Sequence, residues 1–306
     1  MQDPTQLFTY SGSIDRRSIH AETMLVTMGN FIDAGHDQRL LNQHLLHTLP
    51  NHELGRFDMD QLFDYAGHRP QIVFDKDHFT SFRAPKITLH LVRDTDGQSF
   101  LLLRGPEPSL QWERMAAAIE HVINEFDVRK TVLVQTFPAP APHTRPVVVT
   151  RFASDPDLIP INSGLSVSFE MSSSFGGLLT LRLGEKDHDV IGLAAHVPQY
   201  LAAMDYPDAA LALLAAVREV THLNLPDGDL TLRAVQTREE VDESVAASPE
   251  LQEVIARIEQ HHDAIMAQRG APIDPESLPS GDQIAAELEE YLRRLGSSGD
   301  DDNKIA

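Results

Sequence analysis

The sequence predicts an α/β fold, a mainly parallel or mixed sheet covered by helices on both faces, followed by an acidic α-helical hairpin. Short, uniformly apolar runs such as Met24 to Met28 and Thr131 to Val134 mark strands buried on both sides. These runs alternate with segments of 3.6-residue periodicity, the pattern of strands joined by crossover helices. Beyond Leu232 only the helical period remains.

Taken in order, the run at Met24 leads through a turn at Gly29 to Asp33 into a helix carrying Leu40, Leu41, His44, Leu45 and Thr48. Ile72 to Phe74, Ile87 to Val92 and Phe100 to Leu103 read as strands, with Gly97 between Asp96 and Gln98 as the hairpin signal for the last two. From about Ser109 to Phe126, Trp112, Met115, Ile119, Val122, Ile123 and Phe126 share one helix face. Strands are then expected at Thr131 to Val134, Val147 to Val149, Gly164 to Phe169, Leu178 to Leu183 and Val190 to Leu193, before an Ala/Leu-rich helix from Ala209 to Leu223. Ser248-Pro249-Glu250 places a cap, a first-turn proline and an acid where a helix starts. Leu251, Val254, Ile255, Ile258, His262 and Ile265 follow on one face. Gly270 and three prolines end that helix, and Ser280 to Gln283 caps a second one with Ile284, Leu288, Tyr291, Leu292 and Leu295. The division expected is an α/β domain over 1–235, a helical part over 236–296 and a disordered acidic tail over 297–306.

Composition removes whole classes of function. The chain has 306 residues, is 42% hydrophobic and contains no run of 18 apolar residues, so it has a core and no membrane span. Its first residues lack the basic stretch and apolar core of a signal peptide. With no cysteine there are no disulfides, thiolate metal sites or Cys nucleophile, which fits a cytoplasmic location. The net charge of −21 repels phosphate backbones and anionic lipid, so neither nucleic acid nor a membrane is expected as a partner. The charge is uneven: 17 acids face 6 bases between Gln236 and Ala306.

Catalytic motifs are missing. The turn at Gly29 to Gly35 is neither GxGxxG nor a Walker loop, and Asp33 puts a carboxylate where a phosphate would sit, so Asp33 reads as a helix cap. Gly164-Leu-Ser166-Val-Ser168 lacks the second glycine of a nucleophile elbow. His44 and His47 have no carboxylate beside them in the same turn, so no metal and no cofactor is expected. Five lysines are too few and too scattered for an ATP site. Three strand-end segments stand out: Asp64-Tyr65-Ala-Gly-His-Arg69-Pro70, Gly105-Pro-Glu107-Pro108 and Pro142-His143-Thr-Arg145-Pro146. Each joins stiffening prolines to charged groups where α/β sheets meet ligands or partners. Two arrangements are open: Arg69, Glu107 and Arg145 pair with one another structurally, or Glu107, His143 and Arg145 converge on a cavity.

Together with Gly29, Asp33-Ala34-Gly35, Phe57-Asp58-Met-Asp60, Trp112, Val197-Pro-Gln-Tyr200 and Tyr206-Pro207, these segments resemble the proteasome assembly chaperone family, in its bacterial, actinobacterial branch with a helical C-terminal addition. The resemblance spans about Leu25 to the final helix. It implies a three-layer α/β/α sandwich related to phosphorylase- and hydrolase-like folds, self-association as a trimer or tetramer, and proteasome subunits as partners. Asp33, Arg69, Glu107, His143, Arg145 and Tyr200 become the candidate binding residues, with no catalytic residue among them. The function expected is a non-catalytic assembly factor. The alternative is a nucleoside- or carboxylate-directed enzyme, ligase- or phosphorylase-like, using the strand-end loops.

Overall fold

A computed structural model describes residues 3–12, 16–29, 33–160, 168 and 170–269. The strands are β1 (Phe8–Tyr10), β2 (Thr23–Gly29), β3 (Asn51–Phe57), β4 (Ile72–Asp75), β5 (His78–Phe82), β6 (Thr88–Arg93), β7 (Ser99–Pro106), β8 (Lys130–Ala139), β9 (Val149–Ala153) and β10 (Asp189–Pro198). The helices are α1 (Asp37–Thr48), α2 (Met59–Leu62), α3 (Trp112–Glu125), α4 (Phe175–Gly184), α5 (Pro207–Thr221), α6 (Asp229–Ala246) and α7 (Pro249–Arg269).

Eight strands form one mixed sheet in the order β1-β3-β6-β7-β2-β8-β10-β9. Its centre, β7-β2-β8-β10, is parallel, and antiparallel strands close both sides. Alternation along each central strand assigns the layers. Met24, Val26, Leu101, Leu103 and Leu133 point to a face covered by α3 and α4, through Met115, Ile119 and Leu179. Leu25, Leu102, Val132, Val134 and Leu193 point to the other, under α1, α5 and α6, through Leu41, Leu45, Leu213 and Leu230. The result is the three-layer sandwich, each buried leucine contributing about 1.5–3 kcal/mol of transfer free energy.

The expected hairpin at Gly97 is present, with φ of 86° at the glycine. The segment from Leu178 to Leu183, expected as a strand, lies in α4. Phe175, Leu179 and Leu183 are buried at i, i+4 and i+8, and the Ser174 hydroxyl accepts the Gly177 N–H at 3.1 Å as an N-cap. Alternating leucines imitate a strand there, and the two helix-weakening glycines reinforce that reading. Gly176 packs closely under the Gln135 side chain, whose amide nitrogen would have to shift to admit a Cβ, 2.3 Å away. Of the segment Gly164 to Phe169 only 168 is described, and the second C-terminal helix and the tail lie outside the described residues. α6 passes through position 236 without interruption. At the start of α7 the Ser248 hydroxyl accepts the Leu251 N–H at 3.3 Å, the cap expected there.

β4 and β5 form a separate two-stranded ribbon. Ile72 pairs with Phe82 and Phe74 with Phe79, and the register shift leaves Thr80 as an extra residue. That bulge brings Phe79 and Phe82, three apart, onto the face shared by Ile72 and Phe74. All four side chains are more than half exposed.

Candidate functional site

β8 and β10 run parallel in register as far as Ala139 opposite Pro198, so the segments leaving them start side by side. From β8 comes the proline-rich loop carrying His143 and Arg145. From β10 comes a single 3-10 turn, Gln199–Leu201, carrying Tyr200. α6 and α7 pass beside both.

His143 links these elements. Its backbone N–H donates to the Tyr200 hydroxyl oxygen at 2.8 Å, its Nδ1 lies 2.6 Å from the same oxygen, and its Nε2 lies 3.0 Å from Asp242 Oδ1 on α6. With the proton on Nε2, the phenol donates to Nδ1 and Nε2–H donates to Asp242. The imidazole is 2% exposed. Burial pushes the Tyr200 hydroxyl up to about 12, so it stays a protonated phenol. The Tyr–His–Asp chain of hydrogen bonds ties the 3-10 turn, the proline-rich loop and α6 to one another.

The next two residues tie down α7. The Thr144 hydroxyl bonds Glu259. The Arg145 guanidinium donates through Nε and a terminal nitrogen to the two oxygens of Asp263, at 3.0 and 2.9 Å, and reaches Glu259 at 3.3 Å. This fork is the bidentate geometry that arginine supplies and lysine does not. It holds the Asp263 carboxyl below the ordinary carboxylate range.

The other expected residues lie elsewhere. Asp33 accepts the N–H groups of Gln38 and Arg39 at 3.0 and 3.3 Å, at the α1 N-terminus, and burial raises its carboxyl. Glu107, just past β7, accepts the Phe175 N–H at 2.5 Å at the α4 N-terminus, and burial raises it too. It lines a cavity of about 10 Å³ with Gly29, Gln135 and Gly176, space for one water. The N-termini of α1 and α4 therefore hold the protein's own carboxylates where an anion could otherwise sit. Arg69 is exposed and makes no ion pair among the described residues.

Neither arrangement expected for the charged strand-end groups is found. Arg69, Glu107 and Arg145 do not pair with one another. Glu107 does not converge with His143 and Arg145 either: its partner Phe175 belongs to the α3/α4 side of the sheet, Tyr200 to the α1/α5/α6 side. The structure brings His143, Arg145 and Tyr200 together with three residues the sequence reading did not single out, Asp242, Glu259 and Asp263. One signal for them was legible, since Glu259 and Asp263 are i, i+4 acids on one face of α7. Among the described residues no group of three His, Cys, Asp or Glu is placed to hold a metal, and no helix is long and apolar enough to cross a membrane.

Fold and site define a three-layer α/β/α protein whose strand-end loops are clasped by C-terminal helices. The chain belongs to the PAC2 family, whose model matches residues 28–245, in line with the resemblance read from the sequence. It is similar to a Mycobacterium tuberculosis protein of unknown function, at 33% identity, TM-score 0.80, covering 86% of this chain and 91% of that one. A Corynebacterium glutamicum protein of unknown function is similar at 30% identity, TM-score 0.79, covering 86% and 99%. A Mycobacterium tuberculosis proteasome-assembly chaperone homologue shares the fold at 23% identity, TM-score 0.70, covering 76% and 99%. No curated protein matches.

Proposed function

We propose that this protein is a self-associating assembly factor that binds other protein subunits, proteasome subunits being the partners to test first. The observation that carries the reading is the apolar face of the β4–β5 ribbon. Ile72, Phe74, Phe79 and Phe82 are 52, 58, 66 and 52% exposed on two strands that, among the described residues, pair only with each other. An isolated two-stranded ribbon is marginal in water, and four large apolar side chains on one face gain stability only against another surface. The strand-end groups support the same reading, because they are engaged in a clasp between segments of the chain and leave a cavity of one water beside Glu107. Kinship of fold with a proteasome-assembly chaperone homologue directs the choice of partner.

The test is light scattering of the purified protein, alone and mixed with purified proteasome α- and β-subunits from the same host, beside a Phe74→Ser/Phe79→Ser variant. The wild type is expected to be an oligomer that forms a defined complex with the subunits. The variant is expected to keep its thermal transition and lose self-association. A wild-type monomer that binds no subunit overturns the proposal.

A further inference from the structure

The ribbon's exposed face has a matching surface on the chain itself. Between Arg69 and Lys86 the ribbon and its stems carry four cations, Arg69, Lys76, Arg83 and Lys86, against two carboxylates, Asp75 and Asp77. In a chain of net charge −21 this is a local positive excess. All four cations are exposed, and none makes an ion pair among the described residues. Two such ribbons brought face to face would oppose like charges. The ribbon therefore calls for an acidic acceptor that also offers apolar surface.

α6 has that composition on a single face. Leu232, Val235, Gln236, Glu239 and Glu243 follow the spacing i, i+3, i+4, i+7 and i+11, so they form one stripe along the outside of the helix. All five are exposed, Leu232 at 61% and Val235 at 43%. Glu239 and Glu243 make no ion pair among the described residues, although Arg238 beside them is paired with Asp208. Over its whole length α6 carries five carboxylates against two arginines. Two apolar residues followed by free carboxylates complement a ribbon of aromatic side chains flanked by free cations.

We infer that the occupant of the α6 stripe is the β4–β5 ribbon of a second copy of this chain, its aromatic face on Leu232 and Val235 and its cations toward Glu239 and Glu243. The inference rests on the self-association proposed above and names its two surfaces. Because they differ, the contact is heterologous: each copy gives its ribbon to one neighbour and its α6 to another, and the assembly is a ring where the rotation closes. Charge supplies direction and register, and the desolvated aromatic residues supply the attraction.

The absence of cysteine makes the test direct. Full-length Phe79→Cys and Leu232→Cys proteins are mixed, allowed to exchange subunits and mildly oxidised, with the mass of each measured by light scattering beforehand. The expected result is a disulfide-linked dimer in the mixture at roughly tenfold or more the yield of either variant alone, with crosslinking weakened several-fold by Glu239→Lys/Glu243→Lys. Equal crosslinking in Phe79→Cys alone would show ribbon against ribbon and overturn the inference. So would an oligomer with no crosslink, which would place the acceptor elsewhere. A Leu232→Cys thiol that stays protected from a thiol reagent after the copies are dissociated would assign the stripe to the chain's own residues 270–306, again against the inference. A wild-type monomer would instead remove the self-association on which it rests.

Discussion

Asp37 is fully buried, and neither carboxyl oxygen has a hydrogen-bond partner. Burial, then the charges of Asp33, Asp205 and Asp208, push its pKa up to about 10. The unfolded carboxyl titrates near 4, so the folded state holds this proton the more tightly. The stability it contributes is present below about pH 4 and is lost as pH rises toward about 10. Asp37→Asn, which keeps the shape without the charge, is expected to raise the melting temperature at pH 8 and to change it little at pH 4. Calorimetry across that range checks this, and parallel curves for the two proteins would contradict it. Arg145 acts at the same scale through geometry. Arg145→Ala is expected to leave the main thermal transition nearly in place while protease cleavage within α7 rises several-fold. Arg145→Lys is expected to behave like the alanine variant, because a single ammonium cannot bridge both Asp263 oxygens. Limited proteolysis with mass spectrometry of the fragments reads out both.

Among the elements, α4 and α5 give the sharpest expectations. α4 starts at the Ser174 cap beside Glu107, so Ser174→Ala is expected to cost about 1 kcal/mol in denaturant unfolding. A neutral result would mean that Glu107 alone satisfies that helix end. Leu213 is fully buried between α5 and the sheet, and Leu213→Ala is expected to cost about 2–5 kcal/mol in the same measurement. The elements also differ in how legible they were. β2, β7 and β8 are apolar on both faces and α3 has a clean apolar stripe, so all four are plain in the sequence. β3 was missed because its first three residues are polar and only Leu54, Gly55 and Phe57 of its length are buried. α4 was misread because its leucines satisfy the strand period and the helix period together. Only β4 of the ribbon is expected from the sequence, since Phe79 and Phe82 are three apart and meet the strand period only through the Thr80 bulge.

For the whole molecule, the two core clusters on either side of the sheet contain no residue of α7, of which, among the described residues, only Ile255 is deeply buried. A chain ending at residue 247 is therefore expected to keep one cooperative unfolding transition by calorimetry, lowered by a few degrees. Loss of cooperative folding would place α7 within the core. The acidic excess of the C-terminal quarter fits this arrangement, since α7 is held by its carboxylates on Arg145 and Thr144 at the strand ends.

The sequence by itself determined the class of fold, the parallel centre of the sheet, the caps at Asp33 and Ser248, and the family resemblance. These depend on local periodicity and on side chains that act within a few residues of themselves. The partners of Glu107, His143 and Arg145 were decided only by the tertiary structure. A charged group at a strand end can be satisfied by any segment that reaches it, and the segments that do so lie 68 residues away for Glu107 and 57 to 118 away for His143 and Arg145. No periodicity within one element encodes a contact at that separation.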